Sequence, residues 1–415
     1  MTLDTTMKTD NAAAANTNLV ETNLAFKKLS FSEAVAYLVG TNVGAAVLSL
    51  PYAARTGGFP AVIITAVLCT FFSMISHLFI TEAMLRTPEV TQLTGLFRNY
   101  LFKGKAGRYY LGFLFAITIG VAIPALTAYI LGGAEALQAV TGWQRSTCLA
   151  CFFIPGIAVV WLGLGIAGKL QKIVSLAMGG IIIGLTVFSI LRPDFEPSRL
   201  TVLYAPGIWP LLSVGIFTCM SQTSVPEIVR GLAHKPALIP KAIRTALLIN
   251  LAFVIVIPIS IFGLLNTQDI SQVATVSWGK ALGPVGFLVA NVFAFFALIT
   301  SFWGTAAAIL TNIVDMFHFP SDWQIGSRLI AFAITVLPSI ILIAFNLVGF
   351  VELIQIAGSI GGVLLALLPV LVWRKSCQTG IRIPEYQVPR FMAIYLPWAM
   401  CLFYVGALIA AAINM

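Results

Sequence analysis

From residue 31 to the end of the chain, long apolar runs alternate with short polar stretches. Crossing a hydrocarbon core of ~30 Å as a helix takes roughly 20 apolar residues. Eleven runs are that long: 31–54, 59–84, 109–140, 146–167, 171–191, 208–230, 241–265, 281–311, 327–346, 349–373 and 391–412. They are continuous, so they predict helices and not the short alternating strands of a membrane barrel. Two runs interrupt their own pattern. The first contains Gly40-Thr41-Asn42-Val43-Gly44-Ala45-Ala46-Val47-Leu48-Ser49-Leu50 and reaches Pro51, and its glycines weaken the helix. In the sixth, Leu211 to Met220 gives way to Ser221-Gln222-Thr223-Ser224 and then Pro226. Hydroxyl and amide side chains there compete with the helix for hydrogen bonds, and proline removes a donor. Irregular backbone at membrane depth survives only where protein or a water-filled cavity satisfies it. Breaks at matching places in two halves of a chain point to a transporter's binding site.

Runs 1 and 6 each open a set of five. Five is odd, so the second set enters the membrane from the opposite side, which makes an inverted repeat. The predicted fold class is an all-α polytopic membrane protein: 11 transmembrane helices, a 5+5 inverted repeat with broken helices 1 and 6, plus one extra helix. Its units are a disordered cytoplasmic tail at 1–28, a first repeat at 29–191, a second at 208–373 and the eleventh helix at 391–412. The first 25 residues lack an apolar core of signal-peptide length. The longest loops, 85–108, 192–207 and 374–390, are too short for a soluble domain.

Composition agrees with solvation by lipid: 59% of the 415 residues are hydrophobic and 9% charged, against about 25% charged in soluble domains. The net charge of +9 could suggest nucleic acid, but its distribution argues against that. Only Arg55, Arg145, Arg192, Arg199 and Lys280 lie on one side of the predicted spans; every other Lys and Arg lies on the side of the N-terminus. This bias places the N-terminus in the cytoplasm and the C-terminus outside, in the inner (plasma) membrane. The six cysteines are scattered, and Cys148-x-x-Cys151 lacks the second pair or His cluster of a metal site. His77, His234 and His318 are far apart in the chain; His77, inside an apolar run, is either a functional group or an interhelical hydrogen-bonding one. No Gly-rich loop ends in Gly-Lys-Ser/Thr, so uphill transport would draw on an ion gradient and not ATP. The spans show neither the His/Asp/Glu cluster of a membrane enzyme nor the repeated pore ring of a channel.

Residues 40–51 resemble the first-helix signature of the aromatic amino acid (tyrosine/tryptophan) permease family, part of the amino acid/auxin permease group with a leucine-transporter-like fold. Ala128-Tyr129-Ile130-Leu131-Gly132-Gly133 is similar to that family's third helix. Phe217-Thr218 and Val225-Pro226-Glu227-Ile228-Val229 are similar to its broken sixth. One departure is that bacterial members often carry a His in the sixth-helix break, where the nearest polar side chain here is Gln222. The resemblance implies a secondary active importer of tyrosine or tryptophan, working by cation symport with alternating access. A small neutral amino acid such as serine is the alternative cargo.

A zwitterion held without full charges needs backbone dipoles. The N–H groups of Gly44 and Ala45 and the half-helix behind them would take the carboxylate. Carbonyls from Gly40 through Thr41 to Val43 and from Phe217 to Met220, with the Asn42 side chain, would take the ammonium. Tyr129, Phe217, Met220, Ser221 and Gln222 would face the cargo side chain. The resemblance also places Ala297, Thr300 and Ser301 against the carbonyls of Gly40 and Val43 as a sodium site, whose oxygen donors suit an alkali cation. The other reading of Thr300 and Ser301 is back-bonding within their helix. Proton coupling would instead use His77, Glu135 or Lys172. No other cofactor is expected; the partners are an amino acid and the lipid bilayer, and the sequence is silent on oligomeric state.

Overall fold

The computed structural model describes residues 19–22, 24, 28–345 and 350–414. Among these the chain is helical apart from one isolated bridge. Span 1 is broken: α1 (Phe31–Asn42) and α2 (Ala45–Ala53) are bent by 42° across Val43 and Gly44. Ser30 starts α1 with a reciprocal cap, its Oγ accepting from Glu33 N and its own N–H donating to Glu33 Oε2 at 2.8 Å. Span 2 is α3 (Phe59–Leu85). A short amphipathic helix, α4 (Leu93–Tyr100), follows. Leu93, Leu96, Phe97 and Tyr100 are buried, the i, i+3, i+4, i+7 stripe of a helix lying on a surface. Spans 3, 4 and 5 are α5 (Gly104–Thr141), α6 (Arg145–Leu162) and α7 (Leu164–Ile190).

The second half repeats this order. Span 6 is α8 (Ile208–Phe217), an irregular stretch with one 3₁₀ turn at Gln222–Ser224, and α9 (Val225–Gly231). Pro226 sits in the first turn of α9, where its missing N–H breaks no ladder bond. Span 7 is α10 (Ile239–Leu264), then a short helix α11 (Ala274–Ala281), then spans 8, 9 and 10 as α12 (Gly283–Met316), α13 (Ile325–Phe345) and α14 (Phe350–Thr379). Thus α4 and α11 fall at the same place in each half, after its second span. The eleventh span is α15 (Arg390–Asn414).

The spans bury unequally. In the most apolar stretch of each span, 72% of span 6 and 67% of span 2 is buried, against 28% for spans 4, 5 and 9. The broken helices therefore sit in an inner ring, and spans 4, 5 and 9 present their surface outward.

Several boundaries differ from the apolar pattern. The turn between spans 4 and 5 falls at Gly163, not at 168–170. Gly163 has φ +83°, a left-handed conformation in which the chain reverses within one residue. Lys169 consequently lies inside α7 instead of in a loop, and Lys172 lies two turns into the helix instead of at its start. Span 3 begins at Gly104, five residues early, and span 10 continues to Thr379, because the polar residues there are accommodated in helical turns beyond the apolar run. Of the expected disordered tail, residues 1–18, 23 and 25–27 lie outside the described residues. The described part is docked: Val20 N–H donates to Pro88 O at 2.8 Å and Val90 N–H to Val20 O at 3.1 Å, with Leu19 and Leu24 buried; just beyond it Leu29, also buried, donates its N–H to Gly231 O at 2.9 Å.

Candidate functional site

The break in span 1 is built by packing against span 8. A Cβ on Gly44 would overlap the Ser301 hydroxyl and lie 2.7 Å from Ser301 Cβ, so only glycine lets the two backbones come this close. Gly40 is tight in the same way, its Cβ position being 3.2 Å from Thr300 Cβ. Val43 N–H still bonds back to Val39 O, and Gly44 N–H turns to Asn42 O at 3.0 Å. The first ladder bond of α2 is Leu48 N–H to Gly44 O at 3.2 Å. The N–H groups of Ala45, Ala46 and Val47 precede it and are the open donors of the half-helix. Gly44 N–H, a carboxylate donor by sequence, is thus already engaged, whereas that of Ala45 is placed at the break. Thr41 Oγ1 donates to Tyr37 O at 2.7 Å. Asn42 is buried, and as its amide is oriented Nδ2 has no hydrogen-bond partner.

Of the five residues grouped by resemblance as a cation site, Gly40, Ala297, Thr300 and Ser301 lie against one another. Ser301 Oγ donates to Gly40 O at 2.9 Å across the helix interface, while Thr300 Oγ1 donates to Ala297 O at 3.0 Å and Phe296 O at 2.9 Å. Thr300 thus back-bonds within its own helix, and Ser301 reaches the broken span. Gln171 on α7 fixes the backbone behind them, donating to Thr300 O at 2.9 Å. The donor set is hydroxyl and carbonyl oxygen with no thiolate or imidazole, which fits a hard monovalent cation.

Around the break in span 6, the carbonyls freed from the helix find new partners. Asn250 on α10 donates to Thr218 O at 2.8 Å, Ser73 on α3 donates to Cys219 O at 2.6 Å, and Met220 N–H donates to Phe217 O at 3.2 Å. His77, one turn beyond Ser73, places Nδ1 at 2.7 Å from Ser73 O and Nε2 at 2.9 Å from Ser221 Oγ. The sequence singled out His77 but missed Ser73 and Asn250. Their signal was present as polar residues at positions 70, 73 and 77 on one face of an apolar helix, and as a lone Asn in span 7. Tyr129 and Phe217 face one another with ring centroids 6.3 Å apart, and Met220 packs against Gly361 on α14. Gln222 does not join that pair, since its Nε2 is turned to Ser73 Oγ at 3.4 Å.

At the end of the molecule shared by α9 and the docked N-terminal segment, charges close the bundle. Glu227 accepts from Gln92 and Thr311, both at 2.7 Å, and from Arg230 at 3.3 Å; Arg230 also pairs with Asp322. Arg328 donates to Asp322 O at 2.5 Å and to the carbonyls of Val160 and Trp161. Asp315 takes Arg98 at 3.0 Å and Gln92 N–H at 2.6 Å. Unpaired buried charge is costly, and each of these carboxylates has a cationic or N–H partner. Glu135 is exposed and Lys172 half-buried; His77 is buried and meets Ser221 of a broken span.

Two discontinuous helices meeting in an inner ring, with open N–H donors and a cluster of hydroxyl and carbonyl oxygens beside them, define a membrane transporter of the leucine-transporter-like fold. The chain belongs to the tryptophan/tyrosine permease family, whose model matches residues 27–404, and it is an amino acid permease and not an enzyme. A tryptophan-specific transport protein of Pseudomonas aeruginosa (strain UCBPP-PA14) is 24% identical over 367 residues, covering 82% of this chain and 84% of that protein. Two solved structures share the fold. Mhp1, a nucleobase-cation-symport-1 family transporter in a closed conformation with bromovinylhydantoin bound, superposes with a TM-score of 0.67 at 12% identity, covering 97% of this chain and 94% of its own. MhsT in complex with L-phenylalanine gives 0.65 at 17% identity, covering 94% and 98%.

Proposed function

We propose that the protein imports an aromatic amino acid, tryptophan or tyrosine, across the plasma membrane by cation symport, alternating access between its two faces. The observation that carries this reading is the Tyr129–Phe217 ring pair at the end of α8, where span 6 breaks, in a chain whose span 1 is broken too. Family membership and the tryptophan-specific relative support the cargo, and a protein of the same fold holds L-phenylalanine. The positive-inside bias puts the charged end near α9 in the cytoplasm, the N-terminus inside and the C-terminus outside.

The substrate carboxylate is received by the N–H groups of Ala45, Ala46 and Val47 and the positive end of α2. Asn42 joins them, because its unpartnered atom is a donor; from sequence it had been assigned to the ammonium. Ring contacts to Tyr129 and Phe217 favour aromatic cargo by about 0.5–1.5 kcal/mol per pair beyond area burial. Sodium is the coupling ion in this reading, held by the carbonyls of Gly40, Val43 and Ala297 and the hydroxyls of Thr300 and Ser301. To offer a lone pair beside Gly40 O, Ser301 must turn its proton away from it. A proton reading is favoured by one observation, the contact of His77 with Ser221.

Competition of radiolabelled tryptophan uptake into proteoliposomes by unlabelled tyrosine, phenylalanine, serine and leucine tests the cargo. Tyrosine and phenylalanine compete and serine does not; effective competition by serine would move the assignment to small neutral amino acids.

A further inference from the structure

We infer that His77 is a positioning residue for substrate recognition: it fixes the polarity of the Ser221 hydroxyl, so that the span 6 break accepts an ammonium and rejects cargo that lacks one. The inference deepens the proposed amino acid transport and rests on that reading.

The argument starts from the ring nitrogens. Nδ1 lies 2.7 Å from Ser73 O, and a carbonyl only accepts, so Nδ1 carries a hydrogen. The other nitrogen of the neutral imidazole is then a lone pair, and it lies 2.9 Å from Ser221 Oγ. Ser221 must donate. Its single proton is spent on His77, and towards the rest of the break the oxygen presents lone pairs only.

That polarity matters because the usual receivers are already engaged in part. Phe217 O, Thr218 O and Cys219 O are bonded by Met220 N–H, Asn250 and Ser73, respectively. Met220 O and the Ser221 hydroxyl are the receivers on this side that none of these bonds engages. Without the Nε2 acceptor, Ser221 would be free to turn its proton into the site and to favour an anion there. His77 is itself fully buried on α3 and acts through Ser221, since the ring's two nitrogens are both engaged.

The test uses purified full-length protein in proteoliposomes and the amino acid that the wild type carries. It compares that cargo's KM with the inhibition constant of its desamino analogue, indole-3-propionate for tryptophan or 3-(4-hydroxyphenyl)propionate for tyrosine. H77N keeps a donor for Ser73 O and removes the Nε2 acceptor. It should raise KM about tenfold or more, the scale of one hydrogen bond to a charged group, while the analogue binds as well as before or better. The selectivity for the ammonium thus narrows. S221A should narrow it similarly, the double variant should lose little more than either, and H77Q, whose amide oxygen replaces the acceptor, should restore much of the gap. Unchanged selectivity in H77N or S221A, or effects that add in the double variant, would overturn the inference. If the His77 variants do not fold, S221A alone decides it by the same ratio. Failure of the transport reading is seen separately, as absence of amino acid uptake by the wild type.

Discussion

Replacing Gly44 with alanine adds one methyl group at the closest approach of spans 1 and 8. The new Cβ would overlap Ser301 Oγ, sit 2.7 Å from Ser301 Cβ and reach 3.5 Å from Ala297 O. Overpacking of this kind costs about 1–3 kcal/mol, which a multi-span protein can absorb by moving the two helices apart. The relief comes at the expense of the 2.9 Å bond from Ser301 to Gly40 O and of the geometry of the open N–H groups that follow Gly44. Loss of one hydrogen bond to a charged group is about 1.5–3 kcal/mol, so substrate affinity should fall between about 10- and 150-fold, with each 1.4 kcal/mol worth a factor of ten. Gly44→Val, with two further methyl groups, should abolish uptake. The assay is binding of labelled substrate to detergent-purified protein, with melting temperature and monodispersity recorded alongside. Gly112→Ala is the control, because no heavy atom lies within 4 Å of its Cβ position and its helix should be unaffected or slightly strengthened. Wild-type affinity in folded Gly44→Ala would refute the claim that this contact shapes the site.

Tyr129→Ala and Phe217→Ala should each change the ranking among tyrosine, tryptophan and phenylalanine in uptake competition, whereas Gln222→Ala should leave it intact because Gln222 faces Ser73. A changed ranking in Gln222→Ala alone would relocate the pocket. Asn250→Ala strips the donor from buried Thr218 O and should lower stability by about 1–3 kcal/mol, read as a lower melting temperature. Arg230→Met leaves Glu227 and Asp322 buried without their shared cation. Removing one partner of a buried pair costs about 3–5 kcal/mol. Cysteine labelling from the α9 end should rise in that variant, and unchanged labelling would show that these charges do not hold this end closed.

The spans and their two breaks were legible because lipid imposes a length on apolar runs and because small, hydroxyl and proline residues stand out within them. What holds the breaks was less legible. Ser73 and Asn250 are single polar residues in long helices, and whether such a residue bonds its own helix or a neighbour depends on rotation and packing that composition does not encode. The same applies to Gln222, whose place in the break suggested a substrate contact and whose side chain turns to span 2. Gly163 hid the turn between spans 4 and 5 because a one-residue reversal leaves no polar stretch. The helices α4 and α11 are too short and too mixed in composition to register as spans. The oxygen cluster of Gly40, Ala297, Thr300 and Ser301 came from family resemblance, since adjacent hydroxyls in a helix also back-bond, as Thr300 does.

Cation-coupled accumulation of an aromatic amino acid is tested most directly by uptake into proteoliposomes at fixed pH, with an inward sodium gradient or with sodium replaced by choline, for the wild type and Thr300→Ala. The account predicts accumulation of tryptophan or tyrosine with sodium, collapse in choline, and a much higher sodium requirement in the variant. Full uptake in choline driven by a pH gradient alone would contradict the sodium site.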